Sequence, residues 1–277
     1  MAISNFIPTI WSETLFNELS KSFIAVDHCN RDFEGEIKGK GSTVNICGVG
    51  PVNVRDYTKN TDLTTPEEID DNLTTLTIEN ARFFNFLIDD VNKAQCSPKL
   101  MEGAMVRAAE AMANDADRYV FSLYDQASKT VTCDVNSSLY DAIISAREAL
   151  YENNVGDNTE VFLEVHPKVA SRILREKLAM PGANDDSLAA GYLGSIFGCK
   201  IYVSNNIYST EESDNTAYHC FLRTKRAITF ADQISEVEAY RPEKRFADGV
   251  KGLHLYGAKV IYPKEMVCLD VLVPSES

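Results

Sequence analysis

Few residues in this chain have the types and spacing that chemistry requires. Gly39–Lys40–Gly41–Ser42–Thr43 has the glycines and lysine of a phosphate loop. The Walker spacing, however, needs Ser or Thr directly after the lysine and a helix beyond it; here Gly41 intervenes and a strand-like stretch follows. Gly191, Gly194 and Gly198 miss the GxGxxG spacing and precede a strand rather than follow one, so they read as turn residues. His219 and Cys220 are neighbours on an expected strand, which sends their side chains to opposite faces and prevents them from sharing one metal ion. His28–Cys29 has no partners at ligand spacing. His166 ends a strand with no nucleophile motif such as GxSxG beside it. The pairs Asp70–Asp71, Asp89–Asp90 and Asp185–Asp186 are consecutive carboxylates of the kind found in solvated turns. No catalytic, cofactor-binding or metal-ligating constellation emerges, so the expectation is a protein that is not an enzyme and needs no cofactor.

Composition narrows the classes further. A net charge of −14 and a pI near 4.8 exclude a general binder of nucleic acid or anionic membrane. With 277 residues, 44% of them hydrophobic, the chain can bury a sizeable core in one or two domains. The N-terminus has no signal-peptide pattern, and no apolar run reaches the roughly eighteen residues of a membrane span. Seven cysteines without CxxC spacing read as reduced thiols.

The element that must position everything else runs from Ser97 to Lys129. Ser97 suits an N-cap and Pro98 the first helical position. Met101, Met105, Ala108, Met112, Ala116, Tyr119, Leu123 and Ala127 then form one apolar stripe, with Glu102, Glu110, Asn114 and Asp117 opposite. Before it, residues 1–30 form an apolar arm containing the sole Trp, with Leu15, Leu19 and Phe23 at helical steps of four. Such an arm either tucks onto its own core or lies across a neighbour, and the sequence leaves both open.

Between arm and helix, Val44 and Ile46 alternate with Thr43 and Asn45, and Leu76 and Ile78 with Thr75 and Thr77. Roughly twenty polar residues join these strands, a length that usually marks a functional loop. The strands are too thinly apolar to form a separate core, and suit a hairpin that projects to meet a partner. Residues 81–91 read as a better-buried strand with Phe84, Phe86 and Ile88 on one face. After the helix the texture is α/β. Ser138 caps a helix bearing Leu139, Ile143, Ala146 and Leu150, and 161–165 is a buried strand. His166–Pro167 opens a helix bearing Ala170, Ile173, Leu174 and Leu178, and strands follow at 200–204, 218–223 and 227–231. From 231 almost to the C-terminus the sequence is strand-like.

This order of parts resembles the major capsid proteins of tailed bacteriophages, of the Hong Kong 97 type. FIPTIWSETL, GSTVNICGVGPVNVRDYT, FNFLIDDVNKAQ, GSIFGCKIYVSNN and VEAYRPEKRFADGVKGLHLYGAKVIYP look like recurrent segments of such coats. The resemblance implies an α+β fold with an arm (1–30), an extended hairpin loop (31–80), a peripheral domain with the spine helix (81–131 and 231–277) and an inserted α/β axial domain (132–230). It implies a structural protein that assembles with itself, through pentamers and hexamers, into the icosahedral shell around double-stranded phage DNA. A portal protein would be a further partner, and the missing N-terminal extension implies a separate scaffolding protein. No membrane partner is implied; the site would be the virion capsid, assembled in the bacterial host cytoplasm. Phe6 and Trp11 on the arm, with Val44, Ile46, Arg55, Lys59, Asp62, Glu67, Glu68, Leu76 and Ile78 on the hairpin, are the expected subunit contacts, Val44, Ile46, Leu76 and Ile78 facing mostly their own partner strand or the subunit beneath. Although the fold family can cross-link subunits through a Lys and an Asn, nothing near Lys59 and Asn60 signals such a bond. An encapsulin-like protein compartment is the runner-up, and a cytosolic α+β enzyme the alternative from another class.

Overall fold

A computed structural model describes residues 15, 18–19, 22–32, 41–49, 59, 71–89, 100–156, 159–176, 192–212, 214–244 and 246–274. The spine helix, α1, spans Leu100–Phe121 and buries Met105, Ala109, Met112, Ala113, Ala116 and Val120. The stripe is the expected one, turned so that Ala109, Ala113 and Val120 lie at its centre; Ala108 and Tyr119 flank it, partly buried. The helix is shorter than its periodicity suggests. The chain tightens into a 3-10 turn over Ser122–Gln126, where Leu123 leaves helical geometry. The Ser122 hydroxyl donates to the Tyr119 carbonyl at 2.7 Å, a local bond that competes with the helical ladder. Ala127 therefore lies beyond the helix, and Ser97 and Pro98 lie outside the described residues.

The described residues form three sheets. The strands β1 (Thr43–Val49) and β2 (Asp71–Thr77) form the expected hairpin, with Val44 opposite Leu76 and Ile46 opposite Thr74. Gly41, with φ of 84°, turns the chain into β1, so the glycine–lysine stretch opens a strand and no phosphate-binding helix. β3 (Asn80–Asp89), β10 (Ile228–Tyr240) and β11 (Ala247–Val260) make an antiparallel sheet in the order β10-β11-β3. α1 packs on β3 and β11 of this sheet.

The largest sheet contains β4 (Lys129–Cys133), β5 (Val161–Val165), β6 (Tyr192–Ile196), β7 (Cys199–Val203), β9 (Asn215–Thr224) and β12 (Met266–Pro274). Its order is β4-β12-β9-β5-β7-β6, with β8 (Ser209–Glu212) beside β9. β6 and β7 meet at a two-residue turn, Phe197–Gly198, in which both residues have positive φ; the hand of that turn matches the twist of its strands. The helix α2 (Leu139–Glu152) lies on β4 and β12, capped by the Ser138 hydroxyl accepting from the Asp141 amide. α3 (Pro167–Arg175) begins at His166, whose Nδ1 accepts from the Lys168 amide while the ring stacks on Tyr218 at 4.1 Å.

Several expectations change here. β12 lies in the middle of the large sheet, parallel to β4 and antiparallel to β9, so the C-terminal stretch does not belong wholly with the spine-helix sheet. Its apolar run Val267–Cys268–Leu269 suits a strand buried on both faces. Leu174 is 54% exposed, whereas Val169 takes the inward place beside Ala170 and Ile173. Leu178 falls outside the described residues. Asp117 is buried, not on the solvent side of α1. No helix among the described residues is long and apolar enough to cross a membrane.

The hairpin root also differs. Val44, Ile46, Leu76 and Ile78 form a second core with Ala231 and Leu255 of the three-stranded sheet. Too poor to make a core alone, the hairpin borrows the face of β10 and β11. Lys259 adds a bond from Nζ to the Thr75 carbonyl at 2.8 Å. The close approach depends on Gly257, where a Cβ would stand 2.6 Å from the Thr77 carbonyl oxygen and 3.2 Å from Ile78 Cδ1. A backbone oxygen cannot rotate away. Gly257→Ala should therefore destabilise the fold by about 1–3 kcal/mol, measured by denaturant unfolding, and speed limited proteolysis at residues 41–49.

Candidate assembly interface

The site begins where the arm enters the globule. Leu15, Leu19, Phe23, Ala25 and Val26 are buried in the main core, which settles that these residues tuck onto their own subunit. The chain then makes a 3-10 turn over Val26–His28. Its free amides point at α1: Asp117 accepts from Ile24, Ala25 and Val26 at 3.0, 3.1 and 3.1 Å. Its carbonyls point at the large sheet, where Arg223 donates to His28 O at 2.6 Å and Ala25 O at 2.8 Å.

Arg223 is fully buried and grips Glu164 with two bonds of 2.9 and 2.8 Å. A 3.6 Å contact with Cys29 Sγ leaves no guanidinium hydrogen without an acceptor. His28 shares Glu164 through Nδ1 at 2.8 Å and stacks on Phe162 at 4.2 Å. Burial pushes the Glu164 carboxyl up, but the charges of Arg223 and His28 outweigh it and hold it below the usual range. Asp117 goes the other way: burial pushes it up to about 7, against the three amides that favour its charged form. The arrangement is a latch that ties the turn at 24–29 to α1 and to the large sheet. Just beyond it, Asn30 bridges to Thr229 of β10 and Arg31 pairs with Asp232 at 3.0 Å, which carries the chain onto the sheet that also holds the hairpin root.

The outer surface carries two apolar areas that the sequence reading did not single out. On α2, Tyr140, Ile144 and Tyr151 are 38–45% exposed, and Phe197 of the β6–β7 turn lies 5.0 Å from the Tyr140 ring. Ile144, Arg147, Tyr151 and Phe197 line a groove of about 730 Å³. The signal was present as a second stripe at 140, 144 and 151, about 100° round the helix from the inward one. On β3, an edge strand among the described residues, Phe83 is 77% and Leu87 40% exposed; near the start of β11, Phe246 is 81% exposed. Exposed apolar areas next to an open strand edge are characteristic of association surfaces.

Of the residues expected at the interface, Val44, Ile46, Leu76 and Ile78 are therefore corrected: they are spent inside the subunit, in the hairpin-root core. Lys59 is exposed. Phe6, Trp11, Arg55, Asp62, Glu67 and Glu68 lie outside the described residues, as do Asp70, Asp90, Asp185 and Asp186.

Among the described residues, a spine helix packed on a three-stranded sheet, a large mixed sheet, an anchored hairpin root and a latched arm define the class: the architecture of a viral coat subunit. A solved structure from Mycobacterium phage Che8 is 27% identical, covers 89% of this chain and 90% of its own, and superposes with a TM-score of 0.67. The capsid of the cyanophage P-SCSP1u, 17% identical, covers 90% and 87% with a TM-score of 0.66. A virus-like particle from Pyrococcus furiosus, 12% identical, covers 95% and 99% with a TM-score of 0.56, and so shares the fold alone. No curated protein matches the sequence. The sequence model of the phage capsid protein family matches residues 87–269, more than half of the chain. The chain belongs to the phage capsid protein family. It is a structural, non-enzymatic protein whose copies associate to build the shell of the virion.

Two outcomes follow from the latch. Arg223→Met should destabilise the protein by about 3–5 kcal/mol, because Glu164 is left as a buried charge; Arg223→Met with Glu164→Leu should recover part of that loss. Thermal unfolding of both variants checks this. For Asp117, the folded value lies above the unfolded one, so its contribution is complete below about 3.8 and is lost as pH rises through about 7. Melting temperatures taken between pH 5 and about 8 should fall less steeply with pH in Asp117→Asn than in the native protein. Equal slopes would mean that the three amides keep the carboxylate charged throughout.

Proposed function

We propose that the hairpin link and the N-terminal arm are the clasps between subunits, and that the shell is built from pentamers and hexamers around double-stranded DNA. What carries this reading is the division within the hairpin. Its apolar residues are consumed at the root, on the subunit's own sheet, so the contacts left for a neighbour come from the link. There Arg55, Lys59, Asp62, Glu67 and Glu68 supply charges of both signs, which set register across an interface better than they add affinity. Phe6 and Trp11 supply the apolar contact of the arm. The edge strand β3 with Phe83 and Leu87, and the outer face of α2 with Phe197, are the further surfaces that successive subunits cover.

In this arrangement residues 81–128 and 231–265 form the peripheral part. The large sheet, drawn from 129–230 and completed by β12, forms the axial part around the five- and six-fold axes. A net charge of −14 suits a wall that packages DNA without adhering to it. A scaffolding protein guides closure, a portal protein occupies one vertex, and assembly takes place in the cytoplasm of the bacterial host. The family match favours a phage coat over a protein-filled compartment of the same fold.

The test replaces residues 57–70 by a short turn, which keeps the β1–β2 ladder from Val49–Asp71 inward. Circular dichroism should be unchanged, while electron microscopy should show no closed shells. Normal shells from this variant would mean that the link is decoration.

A further inference from the structure

His219 and Cys220 diverge as adjacent strand residues must, but the fold gives His219 other company. In the β9–β12 ladder Asp270 lies directly opposite His219, and Cys268 is two residues from Asp270 on the same face. Asp270 Oδ1 is 2.6 Å from His219 Nδ1 and 3.1 Å from Cys268 Sγ. One ligating atom from each of the three residues lies within 4.8 Å of the others. The His219 ring is held from behind, stacked on Tyr124 at 4.0 Å, and its Nε2 meets Thr210 Oγ1 of β8 at 3.1 Å. His219 and Cys268 are buried, whereas the Asp270 side chain is 21% exposed and opens the cluster to solvent.

We propose that His219, Cys268 and Asp270 form a binding site for a divalent cation of the zinc class, stapling β12 to β9. The donor set is one imidazole nitrogen, one thiolate sulfur and one carboxylate oxygen. That combination suits zinc, and excludes magnesium and calcium, which take oxygen ligands. Thiolate and carboxylate bring two negative charges, which the cation balances. In the metal-free protein the Cys268 S–H donates to Asp270 and the imidazole Nδ1–H does the same. On binding, the Cys268 proton leaves to solvent and the imidazole proton moves from Nδ1 to Nε2, where Thr210 accepts it. Thr210 thus plays the outer partner that metal-bound histidines usually have.

Tetrahedral ligands at zinc stand roughly 3.3–3.7 Å apart. The two Asp270 distances must therefore open by about 1 Å or less, which a rotation of the partly exposed Asp270 side chain supplies. Three protein ligands leave a fourth position for water. Both ligand-bearing strands lie inside the large sheet, so the backbone positions are set before the metal arrives. The sequence concealed the site because its parts, a lone His and a Cys-x-Asp, are some fifty positions apart and meet only through strand pairing.

The test loads purified protein with Zn2+, removes free metal by dialysis and measures bound zinc by mass spectrometry. One Zn2+ per subunit is expected, with a raised melting temperature; Cys268→Ser and Asp270→Asn should each weaken binding about tenfold or more. Co2+ in place of zinc should give a sulfur-to-metal charge-transfer band in the native protein and none in Cys268→Ser. If a variant fails to fold, the native protein still decides. Zinc well below one per subunit, or a cobalt complex without that band, overturns the site. Equal zinc in native protein and Cys268→Ser would do so too.

Discussion

A guanidinium removed from water must find every acceptor inside the protein, and Arg223 finds them on two distant pieces of chain. Glu164 comes from the neighbouring strand, the carbonyls of Ala25 and His28 from the incoming arm, and the Cys29 sulfur from just beyond. Asp117 completes the arrangement from the spine helix by taking the amides of the same turn. Half of such a network would be worse than none, since a buried charge with missing partners is costly. The turn at 25–29 consequently has one position, and helix, large sheet and arm are aligned through it. From there Asn30 lies along β10, and the sheet containing β10 supports the hairpin root.

The subunit divides its apolar residues between two cores. The main one joins the arm, α1 and the large sheet; the smaller one seats the hairpin on β10 and β11. What remains outside is informative, because Phe83, Leu87 and Phe246 near one sheet and Tyr140, Ile144, Tyr151 and Phe197 near the other are exposed on a single subunit. A protein that works as a monomer gains nothing from such surfaces. One whose copies close into a shell covers them by heterologous contacts, the kind that generate rings and closed assemblies.

The sequence made the locally determined parts legible. The stripe of α1, the Ser138 cap, the His166–Pro167 helix start and the alternation of Val44 and Ile46 depend on residues a few positions apart, and each was found. What escaped it depends on pairing across long separations. Nothing near Asp117 announces that its partners are the amides of 24–26, so its charge suggested the solvent side. Likewise, the run at 266–274 reads as a strand but not as the neighbour of 129–133. The same limit hid Arg223 with Glu164, and His219 with Cys268 and Asp270. Conversely, the apolar residues of the hairpin were visible, and only their destination was misread: Gly257 lets the root lie so close to β11 that a sparse hairpin finds enough surface at home.

The place of β12 bears on how the protein is made. Synthesis delivers β4, β5, β7 and β9 first, yet among the described residues β4 pairs with the rest of its sheet only through β12, which also flanks β9 along nine residue pairs. Until that strand leaves the ribosome, the growing chain exposes an unfinished sheet and α2 lacks part of its floor. A chain that stops short of β12 therefore carries β4 and α2 without the strand that joins them to the rest of the large sheet.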